Sequence, residues 1–198
     1  MTGFTGKVRT AAGALGAAVM LTVSAQAASA QQWNAPLTGS QQVPPVATPA
    51  SGMAMLTLTG GSMLSVNVVF ANLTSGTLFA HVHAPAPLGA NAPVALPFAG
   101  FPVGVTSGTY NAMLNLDLAA TYEPAFLTAN GNSVAAARTA VLSAMNGGLA
   151  YVNVHSANFP AGEIRGQLGV VPEPSTYALL GTGVAGLALV ARRRRPQA

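Results

Sequence analysis

The apolar positions of this chain alternate with polar ones in a series of short runs. In Met53-Ala54-Met55-Leu56-Thr57-Leu58-Thr59, the residues Ala54, Leu56 and Leu58 share one parity. That parity puts them on one face of a strand, because successive strand side chains point to opposite sides. Gly60-Gly61-Ser62 follows and predicts a hairpin. Met63 to Phe70 alternates again, with Leu64, Val66, Val68 and Phe70 inward and Ser65 and Asn67 outward. After a turn cluster at Asn72 to Gly76, Thr77 to His83 reads as a strand with Leu78, Ala80 and Val82 on its apolar face and His81 and His83 on the other. Thr109 to Leu118 gives a further strand, with Ala112, Leu114, Leu116 and Leu118 inward and Asn115 and Asp117 outward. Leu149 to His155 sets Val152 and Val154 against Tyr151, Asn153 and His155, and Glu163 to Val170 supplies the last strand after a turn at Asn158 to Gly162.

Two stretches break this period. Ala84 to Gly108 is dense in proline and glycine, so it predicts a long loop, a class that is usually functional or disordered above about 12 residues. Its Val94, Leu96, Phe98, Phe101 and Val103 indicate that it packs against the body. Ser133 to Met145 instead recurs at helical spacing through Val134, Ala137, Val141, Leu142 and Met145, with Asn132 or Ser133 as cap and Gly147-Gly148 as stop. Together these elements predict an all-β antiparallel sandwich or flattened barrel with one short crossover helix.

Composition changes the picture at the ends. Only 6% of the residues are charged, against about 25% in ordinary soluble proteins. Mean hydropathy is +0.46, which would suit a membrane protein if it were spread evenly. It is not. The body from Gln31 to Val171 carries Arg138 and Arg165 against Asp117, Glu123 and Glu163, a formal charge of −1. The basic balance belongs to the termini, so the pI near 10.1 is no sign of nucleic-acid binding.

Residues 1–30 read as a signal peptide, the substrate of a signal peptidase. Lys7 and Arg9 precede an apolar stretch from Ala11 to Val23, and Ala-x-Ala sites end at Ala27 and Ala30, the second being the expected cut. Residues 171–198 have a different order. Pro172-Glu173-Pro174 leads into an apolar run from Tyr177 to Ala191 and then Arg192, Arg193, Arg194 and Arg195. The run of about 15 residues predicts a short apolar helix outside the domain that anchors the chain transiently in the inner membrane through 177–191, with the arginines on the cytoplasmic side. This tail resembles the PEP-CTERM sorting signal. The resemblance implies recognition by an exosortase, a membrane cysteine protease that cuts near the motif, in a Gram-negative bacterium that makes exopolysaccharide or biofilm matrix. The mature protein would then reach the cell surface or extracellular matrix. There is no cysteine, so the body between must be held by a packed core, for which about 140 residues suffice.

Two segments of that body, residues 31–170, resemble the CHRD domain family. One is Leu37-Thr38-Gly39-Ser40-Gln41-Gln42-Val43-Pro44-Pro45; the other runs from Tyr151-Val152-Asn153-Val154-His155 through Asn158-Phe159-Pro160-Ala161-Gly162-Glu163-Ile164-Arg165-Gly166 to Leu168. Between them stand His81-Val82-His83, followed by Ala84-Pro85 where the family usually has glycines, and Asn91-Ala92-Pro93-Val94. The resemblance implies an immunoglobulin-like β-sandwich and an extracellular module, and it implies no settled activity.

The candidate chemistry is carried by histidine. All three histidines of the chain fall inside these motifs. His81 and His83 project from one strand face, and His155 ends another strand. Imidazole suits copper and zinc, so the three predict a common end of the fold and a candidate Cu or Zn site, shielded by the long loop and losing its ion below about pH 6 as imidazoles protonate. The arrangement is similar to the copper site of the Cu/Zn superoxide dismutase sandwich, although the dismutase's other motifs are absent. Glu163 and Arg165 leave one face of the last strand and read, with Asn153, as structural polar residues, the first two as a surface or edge ion pair. Arg165 could alternatively reach an inter-strand carbonyl or Asp117. No catalytic residue is identified, since neither a nucleophile with an adjacent base nor a phosphate loop appears. The sequence thus predicts a non-enzymatic structural, adhesive or binding module for an extracellular protein or polysaccharide, with a metalloprotein, superoxide dismutase-like in the redox case, as the alternative.

Overall fold

The alternating segments form strands that all pair antiparallel. The computed structural model describes residues 30–172 and 180–188. The expected signal segment before residue 30, Glu173, Pro174 and Arg192 to Arg195 lie outside the described residues. The strands are β1 (Gln31–Thr38), β2 (Ser51–Thr59), β3 (Met63–Ala71), β4 (Thr77–His83), β5 (Val94–Pro97), β6 (Gly108–Asn115), β7 (Tyr151–Ser156), β8 (Ile164–Gln167) and β9 (Gly169–Val171). They form one sheet in the order β5-β4-β7-β8-β1-β2-β3-β6, with β9 also pairing β1. Two helices, α1 (Pro124–Ala129) and α2 (Val134–Asn146), fill the crossover from β6 to β7. Ser133 caps α2 by accepting from the Ala136 amide.

The sheet curls until its two edge strands meet through aromatic side chains. Phe98, just after β5, stacks on Tyr110 of β6 at 5.4 Å, and Phe101 packs against both Phe70 and Tyr110 at 5.3 Å. The Tyr110 hydroxyl donates to the Ala99 carbonyl at 3.0 Å. Inside this flattened barrel, Leu56, Val66, Val68, Phe70, Val82, Leu116, Val152, Val154 and Ile164 are buried in one core. Leu114 is half-buried against it. Val68 has no exposed surface, so Val68→Asp would bury an unpaired carboxylate at a cost of several kcal/mol. That variant is expected to be unfolded at room temperature by circular dichroism; a native melting curve would refute this register.

Several boundaries differ from the sequence expectation. The strand expected to reach Leu118 stops at Asn115, whose carboxamide oxygen accepts from the Asp117 amide at 2.9 Å and whose carbonyl accepts from Leu118 at 3.2 Å. This local turn leaves Leu118 54% exposed. The last strand is two: Leu168 leaves the ladder to donate to the Ala150 carbonyl, and β9 then pairs with β1. The long loop contains the short β5 on the edge of β4. Of the expected membrane helix at 177–191, residues 180–188 are described as helical and exposed. At 1.5 Å per residue these nine cover about 14 Å, against a bilayer core of about 30 Å. Among the described residues no helix is long and apolar enough to cross a membrane.

Candidate metal centre

The site lies on the face of β4 and β7 that points away from the core. Strand parity decides this: Ala80, Val82, Val152 and Val154 turn inward, so Phe79, His81, His83, Tyr151, Asn153 and His155 turn outward. The register sets Phe79 opposite His155, His81 opposite Asn153 and His83 opposite Tyr151. All six residues of β7 are nevertheless buried. The outer face is therefore covered too, by the segments that follow β4 and β7.

The covers reach the histidines through backbone carbonyls. His83 Nδ1 lies 2.8 Å from the Ala92 carbonyl, and His155 Nδ1 lies 2.9 Å from the Pro160 carbonyl. A carbonyl can only accept, so both Nδ1 atoms carry the proton and both Nε2 atoms present a lone pair. Those Nε2 atoms, together with His81 Nδ1, are buried without a hydrogen-bond partner. One ligand nitrogen from each of the three residues lies within 4.8 Å of the other two. The ring centroids are 5.1 Å apart for His81–His155, 5.5 Å for His81–His83 and 6.2 Å for His83–His155. The structure thus brings all three sequence candidates to one place.

Burial, aided by the neighbouring imidazoles, pulls His81 and His155 down to about 4. Burial also lowers His83, despite its acceptor at Ala92. All three are neutral at pH 7, the state in which imidazole binds metals. Protons compete weakly for these rings, because burial lowers all three imidazoles.

Around the histidines the family-like segments lock together. The Tyr151 ring stacks on His83 at 4.7 Å and 5°. The Arg165 guanidinium carbon sits 3.4 Å from the centroid of that Tyr151 ring. Arg165 donates to the Ala90 carbonyl at 2.7 Å and to Asn91 Oδ1 at 3.0 Å, and the Ala92 amide donates to the Tyr151 hydroxyl at 3.1 Å. The Ala90–Ala92 segment that orients His83 is thus held by Arg165 and Tyr151. Asn153 accepts from Gln42 at 2.6 Å, and Asn91 donates to the Val43 carbonyl at 2.9 Å, which ties in the Pro44-Pro45 turn. Gly162 is needed here: its φ is +121° and a Cβ would lie 2.4 Å from Asn153 Nδ2.

The Glu163–Arg165 ion pair is corrected. Both residues are buried, at 0% and 1% exposure, and neither pairs with the other. Arg165 takes the loop carbonyl and the Tyr151 ring, while Asp117 pairs with Arg138. Glu163 accepts from the Thr48 hydroxyl at 2.6 Å, the Thr74 amide at 2.8 Å and the Ser156 hydroxyl. Burial pushes its carboxyl pKa up, but the bonds from Ser156, Thr48 and Thr74 outweigh it and hold the group below its ordinary value. The sequence reading missed Gln42 and Phe79 as neighbours of the site. The position of Gln42 just before Val43-Pro44-Pro45 was the available signal for the first; Phe79 shares the parity of His81.

The CHRD domain matches residues 33–168. The chain belongs to the CHRD domain family. A PEP-CTERM protein-sorting motif matches residues 170–195 and follows the CHRD domain directly. Pro172 is exposed at the start of that motif. Secretion and sorting by an exosortase-type enzyme follow from the pairing of the two. No curated protein matches this chain.

Proposed function

We propose that this exosortase-sorted CHRD protein binds one copper or zinc ion through His81, His83 and His155 and carries it at the cell surface or in the extracellular matrix. The observation that carries this reading is the convergence of three histidines, with one ring nitrogen of each within 4.8 Å of the other two, each ring also holding a buried nitrogen without a partner. Leaving a buried acceptor unpaired costs about 1–3 kcal/mol per group, and a shared ion removes that cost at all three. The ligand type fits: imidazole suits copper and zinc, and Cu²⁺ binds nitrogen donors more tightly than Zn²⁺. Each Nδ1–H on a carbonyl is the outer support that ligating histidines use. Nitrogens 4.8 Å apart lie about 2.8 Å from a common centre, so a move of roughly 0.7 Å brings them to the usual 2.0–2.1 Å.

Calorimetric titration of Cu²⁺ and Zn²⁺ into the exported protein tests this. One equivalent should bind at neutral pH, and replacement of the three histidines by alanine should abolish that binding. Equal binding by both proteins would refute the proposal. Delivery to the outside is tested separately by intact mass. The extracellular form is expected to lack everything after about Pro174, and released protein that still carries Arg192 to Arg195 would contradict exosortase cleavage. A structural or adhesive role in the matrix is compatible with the same delivery.

A further inference from the structure

The outer face of β2, β3 and β6 is built differently from that of β4 and β7. Of the five methionines beyond residue 30, Met145 alone lies in the core, with no exposed surface. Met53, Met55, Met63 and Met113 are 39%, 53%, 36% and 56% exposed. Strand parity puts them there: Ala54, Leu56, Leu64 and Leu114 turn into the barrel, so the methionine beside each turns out. The ladders on both sides of β2 and β3 cover the backbone of those strands, so the exposed area there belongs to side chains.

The register spreads these side chains evenly. Each row of the face across the three strands holds one methionine: Met63 between Thr59 and Asn115, Met113 beside Ser65, Met55 beside Asn67, and Met53 beside Val69. In three of the four rows the adjacent residue thus carries a hydroxyl or a carboxamide. No charged residue occurs on the three strands. The chain has no cysteine, so thioethers are its only sulfur. A thioether takes one oxygen atom from a peroxide and becomes a polar sulfoxide. That change disrupts a core, but it is accommodated where the side chain already meets water and hydrogen-bond donors.

We propose that this face is a peroxide-reactive surface, on which Met53, Met55, Met63 and Met113 each accept one oxygen atom while the domain stays folded. In each transfer the peroxide O–O bond breaks, the sulfur loses two electrons and gains an S=O bond, and the peroxide is reduced to water. Reversal falls to methionine sulfoxide reductases, which reach side chains on an open face. Met145 packs in the core beside α2's Val141 and Ala144 and reacts only as the domain opens. In the sheet, β8 and β1 separate this face from β4 and β7, and the proposal does not depend on an ion at the histidines.

The test is treatment of the exported protein with hydrogen peroxide, with EDTA present to keep metal-driven oxidation out, followed by peptide mass spectrometry and thermal unfolding. Sulfoxide should form at all four outer positions, with Met113 and Met55 ahead of Met53 and Met63. Met145 should react about tenfold or more slowly than any of them. The fully reacted protein should melt within about 2 °C of the untreated one. A variant with leucine at positions 53, 55, 63 and 113 should fold and take up no oxygen under the same conditions. Oxidation of Met145 as fast as the outer four would overturn the proposal, as would an outer methionine left unmodified once Met145 has reacted. A larger fall in melting temperature on oxidation of the outer four would overturn the claim that the face accepts oxygen without cost to the fold.

Discussion

Glu163→Ala is expected to destabilise the domain by about 2–4 kcal/mol, because it removes the charged acceptor shared by three donors, of which Ser156 is fully buried. The carboxylate is fully buried and gathers Thr48 from the segment before β2, Thr74 from the turn before β4 and Ser156 from the end of β7. The Thr77–Ser156 ladder pair already joins the last two of these segments, and the carboxylate ties Thr48 to both. A loss of this size is a large share of the 5–15 kcal/mol that keeps a domain folded. Urea denaturation reads it as a lower midpoint at unchanged slope. Glu163→Gln keeps the shape but turns an amide toward donors and should fall between the two. The pH dependence has a definite sign. Because the folded carboxyl pKa is held below its ordinary value of 4.5, its contribution is complete above that value and is lost as pH falls through the lower folded pKa. A Glu163→Ala protein with wild-type stability would contradict this account of the closing hairpin.

His83→Ala is expected to weaken metal binding by about 100-fold or more, since loss of an outer-shell partner alone costs about 10–100-fold. His83 is the best anchored of the three, with Ala92 at Nδ1, Tyr151 on its face and Arg165 beyond. The substitution removes a ligand and leaves the Ala92 carbonyl with only the long contact from the Tyr151 hydroxyl at 3.4 Å, so part of its effect is on the loop. Arg165→Lys separates the two contributions. It retains the charge but loses the forked contact to Ala90 and Asn91, and it should loosen the ion without removing a ligand. Binding by wild type should persist at pH 5, because burial holds His81 and His155 down at about 4. The metal-free protein should respond in the same range. Its folded imidazoles resist protonation while the unfolded chain takes protons below about 6.5. Stability is therefore complete above that pH and declines as pH falls toward 4. Melting temperature against pH, with and without the ion, checks both statements.

The histidine face was legible because strand parity is local information. His81 and His83 sit opposite Ala80 and Val82 in phase, and His155 sits opposite Val152 and Val154 in phase, so their orientation follows from alternation alone. The pairing of β4 with β7 does not. It crosses the whole of the loop, β6 and both helices, and only the expectation that three histidines share one ion pointed to it. The covering of the outer face was also beyond periodicity. Glu163 and Arg165 looked like a solvated pair because every second residue of a strand with one open face is wet. Here loops from Gln42, Ala90–Ala92 and Pro160 close that face, and both charges find other partners. Where local polar chemistry competed with alternation, alternation misled: Leu118 continues the apolar parity of β6, but the carboxamide of Asn115 turns the chain first.

X-ray absorption on the copper- or zinc-loaded exported protein tests the central claim most directly, because it counts ligands at the ion. The account predicts three imidazole nitrogens at about 2.0–2.1 Å and one further light donor. That pattern should be lost when His81, His83 and His155 are replaced. An ion surrounded by oxygen donors, or by fewer than two imidazoles, would contradict the three-histidine centre.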